Sequence, residues 1–338
     1  RDTVVPADRG RIYSADGVLL AANSSCWTLR ASPREMPEDK LALAAKGLAE
    51  ILELDEGKLL EKFSDRHSND CLLRYRVDRV MADTARDFCE ANGITGIRID
   101  QDSKRWYPQG EFLASVLGFT NVDNAGVSGL ELKYDDLLTG ENGVVLTAVN
   151  AWGYTLEQSY ETERFPTEGD GLRLTIDANI QHYLENALGY AVKEHHVAAR
   201  AVGIVMDVNT GGIVAMASYP NYDPGDFSTI YTEGLQAELD AALAEIQQNR
   251  STYETEEAYN QALANARATI QFKQWRNKCY QDTYEPGSTF KPITLATALE
   301  EGVVNMNTTF TCTGSIHVEG WGKPINCSKR AGHGTQTL

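Results

Sequence analysis

The period of hydrophobic and polar positions changes several times along the chain, and each change marks an element. Residues 9–21 alternate weakly about Asp16-Gly17, a hairpin signal. Across residues 38–66 the period becomes helical. Leu41, Ala44, Leu48 and Ile51 share one face, and Asp55 is placed to cap a second helix carrying Leu59, Leu60 and Phe63. Cys71–Val77 reads as a strand, and residues 83–91 as a helix closed by Asn92-Gly93. Helix and strand alternating in this way predict a small α+β module.

Thr167-Glu168-Gly169-Asp170-Gly171 has the composition of a linker. Residues 172–176 then predict a strand, and Asp177 a cap for a helix holding Ile180, Leu184 and Leu188. The apolar segments 201–206 and 213–217 flank a Gly-rich turn at 207–212, which predicts a central hairpin buried on both faces. Residues 233–270 predict an acidic helical hairpin: Leu235, Leu239, Leu243 and Ile246 lie on one helix. Ser251-x-x-Glu254 is a capping box for the second, which carries Tyr259, Leu263 and Ile270. Such a hairpin is either a solvated surface elaboration or a face on which a partner docks.

Composition narrows the function classes. The 338 residues suffice for about two domains. A net charge of −17 argues against nucleic acid, whose phosphates need a basic surface, and against a basic patch on anionic lipid. No run of about eighteen apolar residues is present to span a membrane. The abrupt opening Arg1-Asp2-Thr3 reads as a trimmed fragment. Six cysteines in a chain of this length are not a disulfide framework, and Cys71 and Cys89 sit in apolar patterns as small hydrophobes. Cys312 and Cys327 flank a Gly-rich stretch, and three readings stand open for them. They form a disulfide, they join His317 and His333 in a zinc site, or they are free thiols. The C-x4-H-x9-C-x5-H spacing fits no compact finger pattern, which disfavours zinc.

The richest chemistry is in Tyr284-Glu285-Pro286-Gly287-Ser288-Thr289-Phe290-Lys291-Pro292. Pro-Gly punctuates the chain, and an apolar run (Ile293, Leu295, Ala296, Ala298, Leu299) ends at Gly302, so a turn feeds a helix with Ser288 and Lys291 in its first turn. Residues three apart share a helix face, which lets the hydroxyl meet the amine. A serine becomes nucleophilic when a base takes its proton, and a lysine serves if burial or nearby positive charge lowers its pKa. The positive helix end favours the oxyanion that forms. S-x-x-K alone is weak, with roughly one chance match at this length.

The longer string resembles the active-site segment of class B penicillin-binding proteins, the serine transpeptidases that cross-link peptidoglycan. The resemblance extends through the chain in order. Arg9-Gly10-x-Ile12 with its Asp-Gly turn resembles the segment after the family's membrane anchor, although Ser14-Ala15 stands where the family usually has Asp-Arg. Arg105-x-Tyr107-Pro108, Leu117-Gly118-Phe119 and Gly129-Leu130-Glu131-x-x-Tyr134-Asp135 resemble its non-catalytic N-terminal domain. The 172–224 segment resembles the start of its transpeptidase domain.

The implied fold is α+β: a non-catalytic dimerisation or pedestal module at 1–166, then at 167–338 the first part of a penicillin-binding, serine β-lactamase-like transpeptidase domain with helices on a mixed sheet, interrupted by the 233–270 insertion. Arg105 and Glu131 are expected to lock the first module to the catalytic one. Ser288 is implied as the nucleophile that binds and attacks stem peptides ending in D-Ala-D-Ala, Lys291 as its base, and β-lactams as acylating mimics. The family's F-x-C-x-G and later Cys before His-Gly favour proximity of Cys312 and Cys327. No cofactor and no metal are implied. The implied location is the outer face of the bacterial plasma membrane, beneath an N-terminal anchor helix, with a glycosyltransferase and other wall or division proteins as partners. The family's S-x-N and K-T-G motifs do not occur after Lys291. The 338 residues alone are therefore expected to be inactive. A β-lactam sensor or a non-catalytic division scaffold of the same fold is the alternative.

Overall fold

In a computed structural model, which describes residues 2–146, 162–197 and 200–338, the first strand β1 (Asp2–Val5) precedes the hairpin predicted about Asp16-Gly17. β2 (Ile12–Tyr13) runs antiparallel to β3 (Leu19–Ala31), with Ile12 opposite Ala21 and Tyr13 opposite Leu19. β3 is the spine of a five-stranded sheet. Helices α1 (Leu41–Leu52) and α2 (Glu56–Ser64) follow it, the second capped as expected by Asp55, which accepts from Lys58 N at 2.8 Å. β4 (Cys71–Val77) returns antiparallel to β3.

α3 (Arg79–Asn92) starts four residues earlier than its apolar pattern suggests. Asp78 caps it, accepting from Met81 N at 2.8 Å; Arg79 and Val80 are exposed, and the apolar face begins at Met81 and the buried Ala82. β5 (Ile97–Trp106) pairs with β3 from Ala22↔Trp106 to Ala31↔Ile97 and has no counterpart among the predicted elements. Its polar run at 100–104 hides a strand that the β3 ladder holds, with Thr28 Oγ1 also donating to Asp102 at 2.8 Å. Leu29, Leu48, Leu52, Leu59, Phe63, Leu73, Ala85 and Cys89 pack between this sheet and the three helices. Leu60 lies outside that core, and Cys71 is half-buried.

Three short helices come next: α4 (Ala114–Leu117), α5 (Gly129–Lys133) and α6 (Asp135–Leu138). β6 (Gly143–Leu146) and β7 (Thr162–Arg164) form a small antiparallel sheet with β1. The Thr167–Gly171 stretch expected as a linker is held tightly. Gly169 N donates to Asp8 O, Asp170 N donates to Leu137 O, and a Cβ on Gly169 would lie 1.8 Å from Leu138 O. The strand predicted at 172–176 is β8 (Leu172–Arg173), parallel to β2, with Leu174 N donating to Tyr13 O just beyond it. A second core spans this stretch: Ile12, Leu20, Leu117, Phe119 and Leu138 pack with Ile176 and Tyr222, against Phe227 and Trp275. The Phe119 and Phe227 rings stack at 4.1 Å.

α7 (Ala178–Glu194) is capped by Asp177, as predicted. β9 (Ala201–Met206) and β10 (Ile213–Tyr219) form the predicted antiparallel hairpin, but not one buried on both faces. Ala215 and Ala217 are buried, whereas Val202, Ile204, Val205 and Met206 are exposed. The reason is topological: these two strands form a two-stranded sheet among the described residues, and α7 packs on it through Leu184 against Gly203.

The helical hairpin of the insertion is α8 (Glu233–Gln248) and α9 (Glu256–Trp275). Its second cap is Thr255, accepting from Ala258 N at 3.1 Å, and not the predicted Ser251, which lies in a 3₁₀ turn. Lys273 pairs with Glu238 across the hairpin, and Trp275 carries α9 into the second core. Short α10 (Lys278–Gln281) completes the first of two compact units, Arg1–Asp282; the second is Thr283–Leu338. That second unit holds α11 (Lys291–Glu300), β11 (Thr309–Cys312), β12 (Ser315–Ile316), β13 (Ile325–Asn326) and β14 (Gly334–Thr337). β11 pairs with β14 and β12 with β13, both antiparallel.

Candidate active site

Ser288 and Lys291 lie where the turn after Pro286-Gly287 becomes a helix. The sequence suggested the first turn of an α-helix. The structure makes it a tighter 3₁₀ turn, Gly287–Phe290, which runs directly into α11. Gly287 enters it at φ +57°, in the left-handed region that favours glycine. The Lys291 amide donates to Ser288 O, closing the i to i+3 bond of that turn. A 3₁₀ turn has about three residues per turn, so side chains three apart are eclipsed, and Ser288 and Lys291 rise from the same side of the backbone. Pro292 falls in the first turn of α11, where an amide has no partner to lose.

Both side chains are exposed, so the described residues do not desolvate Lys291. Among them Ser288 Oγ has no hydrogen-bond partner, while the neighbouring hydroxyl of Thr289 donates to Pro286 O at 2.7 Å. Of the two hydroxyls in the turn, Thr289 is engaged with the backbone and Ser288 is free to react.

Cys312 and Cys327 are brought together as free thiols, and His333 joins them. One donor atom from each lies within 4.8 Å of the others, and Cys327 Sγ is 3.4 Å from His333 Nδ1. His317, the fourth residue of the spacing considered above, is not in the group. The contact with His333, with help from the Gly314 and His333 backbone, pushes the Cys312 thiol down to about 6. Cys89 contrasts with it: burial pushes that thiol up to about 11.

Arg105 and Glu131 are structural, as expected, but they join different parts than anticipated. Glu131 is fully buried and accepts from Arg105 Nε through one carboxylate oxygen and from Arg9 Nε through the other, each at 2.7 Å. Arg9 also reaches Asp135 at 2.7 Å, Asn124 O and Thr139. The partners of this cluster therefore lie within residues 9–139, and it knits the N-terminal segment, β5, α5 and α6 together. Two guanidiniums balance the buried carboxylate of Glu131 and the half-buried one of Asp135, which is what allows Arg9, Arg105 and Glu131 to be buried together. The role of Arg9 escaped sequence reasoning. Its only signal was the Arg-Gly pair before the hairpin.

The chain matches two family models. One, described as the penicillin-binding protein dimerisation domain, covers residues 4–174, and the other, the penicillin-binding protein transpeptidase domain, covers residues 201–338. The chain is 32% identical to stage V sporulation protein D of Bacillus subtilis over 98% of this chain and 44% of that protein. It is 28% identical to the peptidoglycan D,D-transpeptidase FtsI of Escherichia coli over 90% of this chain and 44% of that one. The chain thus spans less than half the length of these curated relatives. Among solved structures, Helicobacter pylori PBP2 in complex with MreC matches the whole chain and 59% of its own with a TM-score of 0.67 at 20% identity. Penicillin-binding protein 2X of Streptococcus thermophilus matches the whole chain and 47% of its own with a TM-score of 0.61 at 22% identity. Both agree with the mixed α+β fold.

Proposed function

The chain belongs to the penicillin-binding protein family, and from that premise we propose that this protein cross-links peptidoglycan as a serine D,D-transpeptidase. Ser288 Oγ attacks the carbonyl between the two terminal D-alanines of a stem peptide while Lys291 Nζ takes the hydroxyl proton. The terminal D-Ala leaves, and an amine of a neighbouring stem peptide resolves the acyl-enzyme. β-Lactams acylate the same hydroxyl. The observation that carries this reading is the 3₁₀ turn that sets Ser288 and Lys291 on one side of the backbone at the start of α11, with the Ser288 hydroxyl unengaged among the described residues.

The division of labour we propose is a pedestal followed by a catalytic part, supported by the separate family matches over residues 4–174 and 201–338; we propose the boundary at 166/167, eight residues before the first match ends. The proposed site of action is the outer face of the plasma membrane, beside a glycosyltransferase. No described helix is long and apolar enough to cross a membrane, so the proposed anchor is not among the described helices.

Labelling of the whole protein with a fluorescent penicillin, followed by peptide mapping, tests the assignment. Label is expected on the peptide containing Ser288 and absent from Ser288→Ala. Label on Thr289, or undiminished labelling of Ser288→Ala, overturns it. Release of D-Ala from a stem pentapeptide separates the transpeptidase from a β-lactam sensor, which acylates without turnover.

A further inference from the structure

A cavity of about 880 Å³ opens in the first unit where Tyr219-Pro220-Asn221 leaves β10 and meets α8, α9 and α10. Its lining residues all belong to the Arg1–Asp282 unit. Ligand sites typically measure about 300–1,000 Å³. We propose that this cavity binds a peptidoglycan stem peptide non-covalently, its terminal carboxylate at Lys278 and its free amine at Glu111 and Glu233. The identity of the peptide rests on the transpeptidase reading above; the charge pattern of the cavity does not.

The first argument is an under-served ammonium. Asp282 is nearly buried and accepts from Arg200 Nη1 at 2.6 Å and from Arg276 Nη2 at 2.5 Å. Its two oxygens are thus engaged, and Lys278, buried on the same wall, has no ion pair among the described residues. Lys278 Nζ donates instead to the carbonyls of Gln274, Pro220 and Arg276 at 3.2, 3.3 and 3.5 Å. Charge-assisted bonds are normally about 2.7–2.9 Å long. Burial pushes the amine down to about 8, with Asp282 opposing and Arg276 and Arg200 reinforcing the shift, so it is still mostly protonated at pH 7. A carboxylate entering the cavity supplies the short charged contact that three long carbonyl contacts do not.

The second argument is that the opposite charge lies elsewhere in the same cavity. Glu111 and Glu233 are exposed on its wall, while Glu238 is already paired with Lys273. Desolvation and the charges of Asp226, Asp223 and Glu111 push the Tyr231 hydroxyl on this wall up to about 12. The acids acting on Tyr231 are not the one acting on Lys278, so the cavity has an acidic side and a basic side. Such a cavity suits a ligand carrying both signs; a phosphate or a polyanion satisfies one side and is repelled by the other. A stem peptide has both, a terminal carboxylate and the amine that resolves the acyl-enzyme.

The third argument is that the walls are fixed in advance. Gln274, fully buried on α9, accepts from Tyr231 N and donates to Thr229 O, each at 2.9 Å, which ties the segment before α8 to the helix after it. Asn221 Nδ2 donates to Glu111 O at 2.7 Å across the cavity mouth. A preformed site loses less freedom when its ligand arrives. The helical hairpin at 233–270, unassigned by the catalytic reading, thereby becomes one wall of a binding site.

Calorimetric titration of the Ser288→Ala protein, which cannot be acylated at that position, with a stem pentapeptide bearing a free side-chain amine tests the proposal. The peptide is expected to bind, and amidation of its terminal carboxylate to weaken it about 10–100-fold, the worth of a hydrogen bond to a charged group. Lys278→Met should weaken the free acid by the same factor and the amidated peptide no further. Acetylation of the amine and Glu233→Gln should each cost about 2–5-fold, as an exposed charge pair does, and the two losses should not add. Should Lys278→Met fail to fold, the exposed Glu233→Gln with the acetylated peptide decides. No binding, equal binding of the amidated and acetylated peptides, or inorganic phosphate competing as well as the peptide overturns the proposal, as does unchanged affinity in both variants, which would place the peptide elsewhere. Penicillin labelling of the unaltered protein is read separately: its loss strikes the transpeptidase reading, whereas intact labelling with a failed titration strikes this proposal alone.

Discussion

Glu131 and Lys291 are both charged side chains at the start of short or newly formed helices, and their surroundings are opposite. Glu131 is wholly buried between two arginines, whereas Lys291 stands exposed beside a free serine hydroxyl. The Arg9–Glu131–Arg105 cluster of the first unit is buried among partners, so its energetic role is architectural. The second unit has almost no buried positions, and its polar groups remain available to ligands. Charge in that cluster specifies which segments meet. In the second unit it is left for chemistry.

Breaking the buried cluster should have the largest effect. Glu131→Ala leaves Arg9 and Arg105 buried without a shared carboxylate, and about 3–5 kcal/mol of stability should be lost in denaturant unfolding. A loss below about 1 kcal/mol would show that the arginines find water or other partners, and the contrast between the units would weaken.

The apolar cores sharpen the same comparison. Phe63→Ala, at a fully buried position between sheet and helices, should cost about 3–5 kcal/mol. Ile293→Ala, on the exposed surface of α11, should stay within about 0.5 kcal/mol. Equal costs at the two positions would mean that α11 is buried in the folded protein in solution.

At the caps, Thr255→Ala should cost about 1 kcal/mol by removing the acceptor for Ala258 N, with Ser251→Ala close to neutral. The reverse order would restore the capping box inferred from the sequence. The smallest expected effect on stability is at the candidate nucleophile. Ser288→Ala should unfold within about 0.5 kcal/mol of the unaltered protein while losing all penicillin labelling, because its hydroxyl holds nothing in place.

Much of this was legible in the sequence because it is local. The Asp16-Gly17 hairpin, the caps at Asp55 and Asp177, the 201–219 hairpin and the turn carrying Ser288 and Lys291 depend on residues within a few positions of each other. Backbone sterics and capping act over that range. Their boundaries moved where a local signal was silent or duplicated. Asp78 starts α3 ahead of its apolar face, and Thr255 outcompetes Ser251 as the cap of α9.

The tertiary structure alone decided what depends on distant partners. β5 became a strand because β3 offered it a ladder, despite a polar run that no periodicity could register. Glu131 drew Arg9 from 122 residues away, since a buried carboxylate takes whichever cation the fold delivers. The apolar 201–206 strand stayed exposed because burial is a property of what packs on a strand, not of its composition. His333 joined Cys312 and Cys327 while His317 did not, because strand register placed the one and not the other beside the thiols. By itself the sequence determined which segments form hairpins, capped helices and the turn that carries Ser-x-x-Lys. Which side chains meet across the chain was settled only by the packing that desolvates or exposes them.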